Sequence, residues 1–215
     1  MFSFYFIIGL PWRIVKAVWY KIRMRRFGWS SEIRRPLRIN GYRNIWIGNH
    51  VHIADQTWLG VSNAMSGVTG KLVIEDGCVI GHYNHIYATG CVILHNHVLT
   101  ADKVYVSDNC HGYENVDIPI VQQSVVQRNF VEIGEGSWLG ENVCVLGAKI
   151  GKHCVIGANS VVNKDIPDYC IAVGAPAKVI KRYDFDTNTW KKTDNEKNDK
   201  ESLGGDNFCI VICAA

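Results

Sequence analysis

The stretch that decides the fold is IEDGCVIGHYNHIYATGCVILHNHVLTADKV, residues 74–104. An aliphatic residue stands at every sixth position of it: Ile74, Ile80, Ile86, Val92, Val98 and Val104. The same spacing recurs on either side, at Ile47, Ile53 and Leu59, at Ile133, Leu139 and Val145, and at Ile150, Ile156 and Val162. A helix repeats its apolar face every ~3.6 residues and a half-buried strand every ~2 residues. A period of six is typical of a parallel β-helix, in which short strands and tight turns stack into coils.

The period also predicts the shape of each coil. With three flat sides, each carrying one inward aliphatic residue, a coil is about eighteen residues long. We therefore expect Ile74 to stack on Val92, and Ile80 on Val98. Stacked strands lie about 4.8 Å apart, so about five coils form a prism roughly 25 Å tall.

Length and charge limit the function classes. A chain of 215 residues predicts one domain with tails. The net charge of +3 is small, and the repeat carries no basic stripe interleaved with aromatic residues, so we expect no nucleic acid partner.

The cysteines and histidines do not suggest a metal site. The eight cysteines include no C-x-x-C pair, and we interpret them as reduced thiols of a cytoplasmic protein. The eight histidines form no cluster with Cys or Asp at ligand spacing, so we expect no metal cofactor.

Residues 1–30 form an apolar and basic N-terminal segment. On a helix from Pro11 to about Arg23, the apolar residues share one face and basic residues take the other. Basic amphipathic helices that carry tryptophan commonly lie in a membrane interface, so residues 1–26 are a candidate for peripheral contact with the inner face of the cell membrane. The alternative is a helix that packs on the end of the β-helix or on another subunit. The sequence does not decide between them.

The rest of the chain divides into a repeat domain and a tail. We predict the β-helix domain over residues 31–182, interrupted by a loop at 107–129 where the period is lost. Long excursions from a rigid solenoid often carry function. Residues 183–215 are polar and charged, and we expect a disordered tail there. Its apolar end, CIVICAA, has no functional interpretation.

His111 stands where the regular repeat opens into this loop. A histidine held at a rigid edge beside a loop can act as a general base at neutral pH. Asp108, Glu114 and Asp117 are close in sequence and are candidates to orient it. The simpler interpretation is an exposed histidine without a catalytic role.

Three motifs resemble the left-handed β-helix acetyltransferases, particularly the maltose, galactoside, xenobiotic and polysaccharide O-acetyltransferase group. They are VYVSDNCHGY at 104–113, IGEGSWLGENVCVL at 133–146, and IGKHCVIGANSVVNKDIP followed by VGAPAKVIK within 150–181. The resemblance covers residues 72–182, and left-handedness is implied by it rather than by the period. Together with the period and the composition, it predicts an all-β fold: a left-handed parallel β-helix with a short N-terminal helix and a disordered C-terminal tail.

The resemblance also implies site residues. The family's catalytic histidine follows a V-x-x-S strand by four residues, which is the position of His111. Acetyl-CoA is the implied co-substrate, in a groove between subunits of a homotrimer. Its implied contacts are Trp138, Glu141, Ala158, Asn163, Lys178 and Lys181, with Arg182 as a neighbour. Glu141 replaces a serine that is common in the sugar enzymes, so any oxyanion donor there has to come from the main chain. Candidate acceptor contacts are Tyr83, Asn84 and His85.

The N-terminal segment replaces the helical region of the soluble sugar enzymes, which favours an acceptor built at the membrane. We therefore predict an acetyl-CoA-dependent O-acetyltransferase acting on a sugar hydroxyl of a cell-surface polysaccharide, lipopolysaccharide or lipid-linked glycan precursor. One alternative is N-acetylation of an amino sugar, or acetylation of a xenobiotic such as chloramphenicol. A second alternative is a non-catalytic β-helix scaffold.

Overall fold

The computed structural model describes residues 4–62 and 69–193. It opens with a single long helix, α1 (Phe4–Arg23), and continues as short strands. The helix ends at Arg23 as predicted but begins at Phe4 rather than at Pro11, so Pro11 lies inside it. Two short 3-10 turns, Tyr42–Asn44 and Ile120–Gln122, interrupt the strands.

The strands are mostly two to four residues long. In chain order they are β1 (Arg26–Phe27), β2 (Glu32–Ile33), β3 (Arg38–Asn40), β4 (Ile45–Ile47), β5 (His52–Ile53), β6 (Trp58–Val61), β7 (Lys71–Ile74), β8 (Val79–Ile80), β9 (His85–Ala88), β10 (Cys91–Leu94), β11 (Leu99–Thr100), β12 (Tyr105–Ser107), β13 (Asn109–His111), β14 (Val125–Gln127), β15 (Val131–Ile133), β16 (Trp138–Leu139), β17 (Cys144–Leu146), β18 (Lys149–Ile150), β19 (Val155–Ile156), β20 (Val161–Val162), β21 (Cys170–Val173), β22 (Lys178–Asp184) and β23 (Thr189–Lys192).

Three parallel sheets form the sides of a prism, as the six-residue period predicts. Face A contains β1, β4, β7, β10, β15 and β18, and face C contains β3, β6, β9, β12, β17 and β20. Face B contains β2, β5, β8, β11, β16, β19 and β21. The chain visits A, B and C in turn, so every circuit adds one coil and gives the prism six coils. This is a parallel β-helix.

The interior is a set of aliphatic columns. On face A, Ile47, Ile74, Leu94, Ile133 and Ile150 stack in register, and the first four are fully buried. Burying each such side chain contributes about 1.5–3 kcal/mol. The columns make the prism a stiff support for the loops and corners that leave it.

The coil length differs from the prediction in the central coils. Ile74 stacks on Leu94 and Ile80 on Thr100, twenty residues apart, whereas Val92 stacks on Leu72. Alternate residues of a strand point the same way, so both Leu72 and Ile74 face inward. A six-residue spacing can therefore begin at either of the two inward positions of a strand. By itself it does not determine how many residues each corner contains.

The N-terminal helix closes the open end of the first coil. Tyr20 and Met24 are buried in the core, and the ring of Tyr20 lies 5.2 Å from that of Phe27 in β1. Farther along, Arg13 forms an ion pair with Glu32 of β2 at 2.9 Å. The helix therefore crosses the end of the prism from face A to face B.

At the other end, two antiparallel strands extend face B. β22 pairs with β21, and β23 pairs with β22. This corrects the predicted start of the disordered tail, because residues 183–192 belong to this hairpin. Aromatic contacts stabilise the β22–β23 hairpin, because the ring of Tyr183 packs against both Phe185 and Trp190. Residues 194–215, including CIVICAA, lie outside the described residues.

Candidate active site

The loop predicted at 107–129 leaves the prism at the edge between faces C and A. It begins and ends as a two-stranded antiparallel ribbon, with β13 paired to β14. His111 is the last residue of β13 and lies opposite Val125. The histidine is therefore fixed at the base of the loop by backbone pairing.

Asp108 fastens the base of this ribbon to the coil below. Its buried carboxylate accepts hydrogen bonds from the backbone N–H groups of Thr89 (2.8 Å), Gly90 (2.8 Å) and Cys91 (2.7 Å). Gln127 in β14 donates to the Asp108 carbonyl at 2.7 Å. Asp108 thus ties the corner before β10 to both strands of the ribbon.

The imidazole of His111 is exposed, and within the described part of one chain no hydrogen bond or ion pair engages it. Of the three carboxylates proposed to orient it, Asp108 is committed to backbone N–H groups. Glu114 accepts from the N–H of Tyr113, which lowers the pKa of that carboxyl group. Asp117 makes no ion pair among the described residues. The expectation that these residues orient His111 is not met in the single chain.

The three acceptor candidates occupy different environments. Tyr83 is exposed in a turn between faces B and C. Asn84 is buried, and its amide donates to the carbonyls of His82 (3.2 Å) and Ala101 (2.9 Å). These bonds engage its amide N–H groups in the corner, and its role as an acceptor contact stays a prediction.

His85 lies on the outer side of face C in a cluster of rings. It stacks on Trp58 with 4.2 Å between centroids, and Tyr105 meets it edge-on at 5.1 Å. The guanidinium of Arg38 lies over Trp58 at 5.3 Å. This half-buried position lowers the pKa of His85 by desolvation.

The depressed pKa of His85 gives a pH test. Below the ordinary histidine pKa of about 6.5, the unfolded chain binds a proton that the folded state disfavours, so stability falls as the pH drops. His85→Phe keeps a ring on Trp58 and removes the titration. We expect a smaller loss of unfolding free energy between about pH 7.5 and about pH 5 in this variant, measured by denaturant titration. The exposed-histidine variant His50→Asn should keep the wild-type response, and an unchanged response in His85→Phe would contradict the assignment.

The predicted coenzyme A residues fall into three groups. Trp138 begins β16 on face B of the fifth coil, and Glu141 and Ala158 lie in successive turns at the edge between faces B and C. Asn163 follows β20 at the edge between faces C and A. Lys178 and Lys181 lie on β22.

His111 and Glu141 therefore lie at opposite edges of face C. Every strand of face C enters from the edge with face B, where Glu141 lies, and leaves at the edge with face A, where the ribbon of His111 starts. The carboxylate of Glu141 is paired with Lys103 at 2.9 Å. Within one chain the predicted base shares its edge with Asn163 but not with Glu141 or Ala158, and the roles of these residues stay predictions.

Two features escaped the sequence interpretation. His82 pairs with Asp102 at 3.1 Å, a contact that follows only from the twenty-residue coil. On the hairpin, Lys181 lies opposite Lys192 and Arg182 opposite Lys191. Trp190 between polar residues is a possible sign of the strand β23. The high charge of the surrounding segment led instead to the prediction of disorder.

Among residues 4–62 and 69–193, no group of three or more His, Cys, Asp and Glu side chains is arranged to hold a metal ion. The cysteines in the same ranges are free thiols. Burial raises the pKa of both Cys78 and Cys154 to about 11, which keeps them protonated.

Comparison with known proteins shows what this chain is similar to. A model described as the hexapeptide repeat of succinyl-transferase matches residues 130–164. A Mycobacterium tuberculosis protein named as a probable acetyltransferase is 40% identical over 136 residues, which cover 63% of this chain and 43% of the relative. The Escherichia coli protein WbbJ, whose name assigns it to lipopolysaccharide biosynthesis as an O-acetyl transferase, is 36% identical over 130 residues, which cover 57% of this chain and 66% of WbbJ. The matched stretches span 43% and 66% of these relatives' own lengths, and over them the chain is similar to proteins named as acetyltransferases.

The fold of the chain is confirmed by comparison with a solved structure. The crystal structure of AntD, an N-acyltransferase from Bacillus cereus in complex with dTDP and 3-hydroxybutyryl-CoA, aligns with a TM-score of 0.64 at 20% identity, covering 86% of this chain and 93% of AntD. The β-helix of this hexapeptide-repeat chain is accordingly left-handed, as the resemblance implied.

Proposed function

We propose that this hexapeptide-repeat protein is an acetyl-CoA-dependent O-acetyltransferase that modifies a sugar hydroxyl of a cell-surface polysaccharide, lipopolysaccharide or lipid-linked glycan precursor. The observation that carries the proposal is the placement of His111 at the base of an anchored ribbon, in a chain related to WbbJ.

The chemistry assigned to His111 is general base catalysis. Its imidazole takes the proton of the acceptor hydroxyl as the oxygen attacks the thioester carbonyl of acetyl-CoA. The C–O bond forms, and a tetrahedral oxyanion results. Collapse of this intermediate breaks the C–S bond, and the departing thiolate receives the proton from the imidazolium. The products are an acetyl ester and coenzyme A.

A backbone N–H near Trp138 is the proposed donor to the oxyanion. In the turn that follows Trp138, the N–H groups of Gly140, Asn142 and Val143 already donate to carbonyls of the solenoid. The N–H of Glu141 makes no such bond among the described residues, so we assign it this role.

The assembly proposed for this chemistry is a homotrimer. The predicted base and the coenzyme residues at the edge between faces B and C are separated by face C, so a second copy is needed to bring His111 to them. The loop beyond His111 exposes apolar side chains that suit such a contact: Ile118, Ile120 and Val121. Lys178 and Lys181 would then meet the coenzyme phosphates as point charges.

The test is a product analysis. We expect the purified protein, mixed with acetyl-CoA and fragments of surface polysaccharide or lipopolysaccharide, to release coenzyme A and form an acetylated glycan. Coenzyme A should be quantified by chromatography, because the chain's own thiols react with thiol reagents. The acetyl group should be removed by mild alkali, since an ester is labile and an amide is not.

Three outcomes would contradict the proposal. An alkali-stable amide formed from an amino sugar would support N-acetylation. An acetyl ester formed on chloramphenicol but on no glycan would support xenobiotic acetylation. Absence of turnover with every acceptor, in protein that binds coenzyme A or that remains folded, would favour the scaffold.

A further inference from the structure

The N-terminal helix turns an apolar face away from the prism. Ile14, Val15 and Ile22 are 57%, 56% and 64% exposed, and Val18 and Trp19 beside them are also exposed. The opposite side of the same helix holds the buried Tyr20. At about 100° per residue, Val15 and Ile22 lie about 140° and 160° around the helix from Tyr20. The exposed stripe therefore points outward from the closed end of the solenoid.

Positive charge borders this apolar face at Lys21 and Arg23. Arg13 and Lys16 point instead toward the first coil, where they contact Glu32 and the Arg34 carbonyl. The segment Phe4–Arg23 contains no acidic residue, and the basic residues of its second half and of the following link are Arg13, Lys16, Lys21, Arg23, Arg25 and Arg26. The acidic residue Glu32 of the first coil is neutralised by Arg13. An apolar surface with a cationic border complements a bilayer that displays anionic headgroups.

A groove of about 720 Å³ runs between the helix and the first coil. Lys16, Lys21, Arg34 and Arg35 contribute to its walls, so cations line it from both sides. Trp12 and Trp29 also line it and are 65% and 73% exposed. Tryptophan is enriched at the headgroup level of membranes, where its ring is apolar and its N–H is solvated. The groove places cations and indoles together beside the apolar stripe.

No helix in the described part of the chain is long and apolar enough to span a bilayer. We infer that α1 lies flat in the interface of a membrane rich in anionic lipids, with Ile14, Val15, Val18 and Ile22 among the acyl chains and the basic residues at the phosphates. The sequence left open whether this helix packs on the protein or binds lipid. In the structure one side of the helix packs on the first coil, and the other side is exposed among the described residues of the single chain. This inference concerns attachment and does not depend on the transfer reaction.

Vesicle sedimentation tests it without any substrate. The full chain is mixed with vesicles of phosphatidylcholine alone, or of phosphatidylcholine with phosphatidylglycerol. We expect binding to the anionic vesicles, weakened by salt and by about fivefold for each cation removed, as in Lys21→Ala or Arg23→Ala. Val18→Asp combined with Ile22→Asp should abolish binding. The matched control Val116→Asp changes an exposed valine on the distant loop and should bind like the wild type.

Circular dichroism and thermal unfolding establish that each variant is folded. Failure of the folded wild-type chain to sediment with anionic vesicles overturns the inference. It is also overturned if Val18→Asp with Ile22→Asp still binds them, or if that variant changes only the mass of the oligomer in light scattering, because the stripe would then be covered by a second copy. A protein that binds vesicles but lacks acetyl transfer would leave this inference intact and contradict the proposed function alone.

Discussion

His111→Asn lowers kcat by roughly 10²–10⁴-fold if the imidazole takes the proton of the acceptor hydroxyl, the range expected when a general base is removed. Asparagine preserves a polar side chain of similar size, and β13 should still pair with β14 because that pairing uses the backbone. Binding of coenzyme A should change little. The measurement is the steady-state rate of coenzyme A release at saturating acetyl-CoA, together with calorimetric titration of coenzyme A.

His50→Asn is the matched control. His50 is an exposed turn residue with φ 55°, a conformation that asparagine tolerates well. It lies in the second coil, whereas the ribbon leaves the fourth coil. Its substitution should therefore leave kcat unchanged. Turnover of His111→Asn equal to that of the control would remove His111 from the chemistry and leave the loop without an assigned base.

Asp108→Ala should lower the free energy of unfolding by about 3–4 kcal/mol, because three buried backbone donors lose their shared acceptor at once. Those donors are the N–H groups of Thr89, Gly90 and Cys91, at 2.7–2.8 Å from the carboxylate. The ribbon also loses its anchor, so kcat should fall even at temperatures where the variant is folded. Denaturant unfolding and the coenzyme A release rate measure the two effects.

Asp117→Ala removes a carboxylate of the same kind from the exposed part of the loop. With no buried partner to lose, it should change stability by less than about 0.5 kcal/mol. Similar stability in the two variants would mean that the Thr89–Cys91 corner finds other acceptors and that Asp108 does not hold the ribbon.

Much of the fold could be predicted because solenoid cores depend on a simple alternation. Inward aliphatic residues at six-residue spacing, such as Ile47, Ile53 and Leu59, indicated three faces, and they are buried. The twenty-residue central coil could not be predicted, because Leu72 and Ile74 both face inward and the period alone does not distinguish them. The β22–β23 hairpin was also missed, since its aromatic contacts join residues in a segment whose composition is polar.

The candidate site was predictable only in part. The break in the repeat marked the place where His111 lies at the base of a loop, and the structure has it there. The partners of nearby side chains were not predictable, because they depend on which coil corner is adjacent. Asp108 lies three residues before His111 in sequence, but its carboxylate contacts the corner at Thr89. The side chain of Asn84 is likewise directed into a corner rather than outward.

The stacking of coils fixes the height of His111 above the helix end. Its ribbon leaves β12, the fourth strand of face C, so three strand spacings of about 4.8 Å, or about 15 Å, lie between it and the first coil. The width of the helix adds about 10 Å. With α1 resting on a bilayer, a sugar joined directly to a lipid headgroup would lie below the reach of this histidine. If the proposed membrane attachment and the proposed role of His111 both hold, we expect the acceptor to be a glycan already extended by several units.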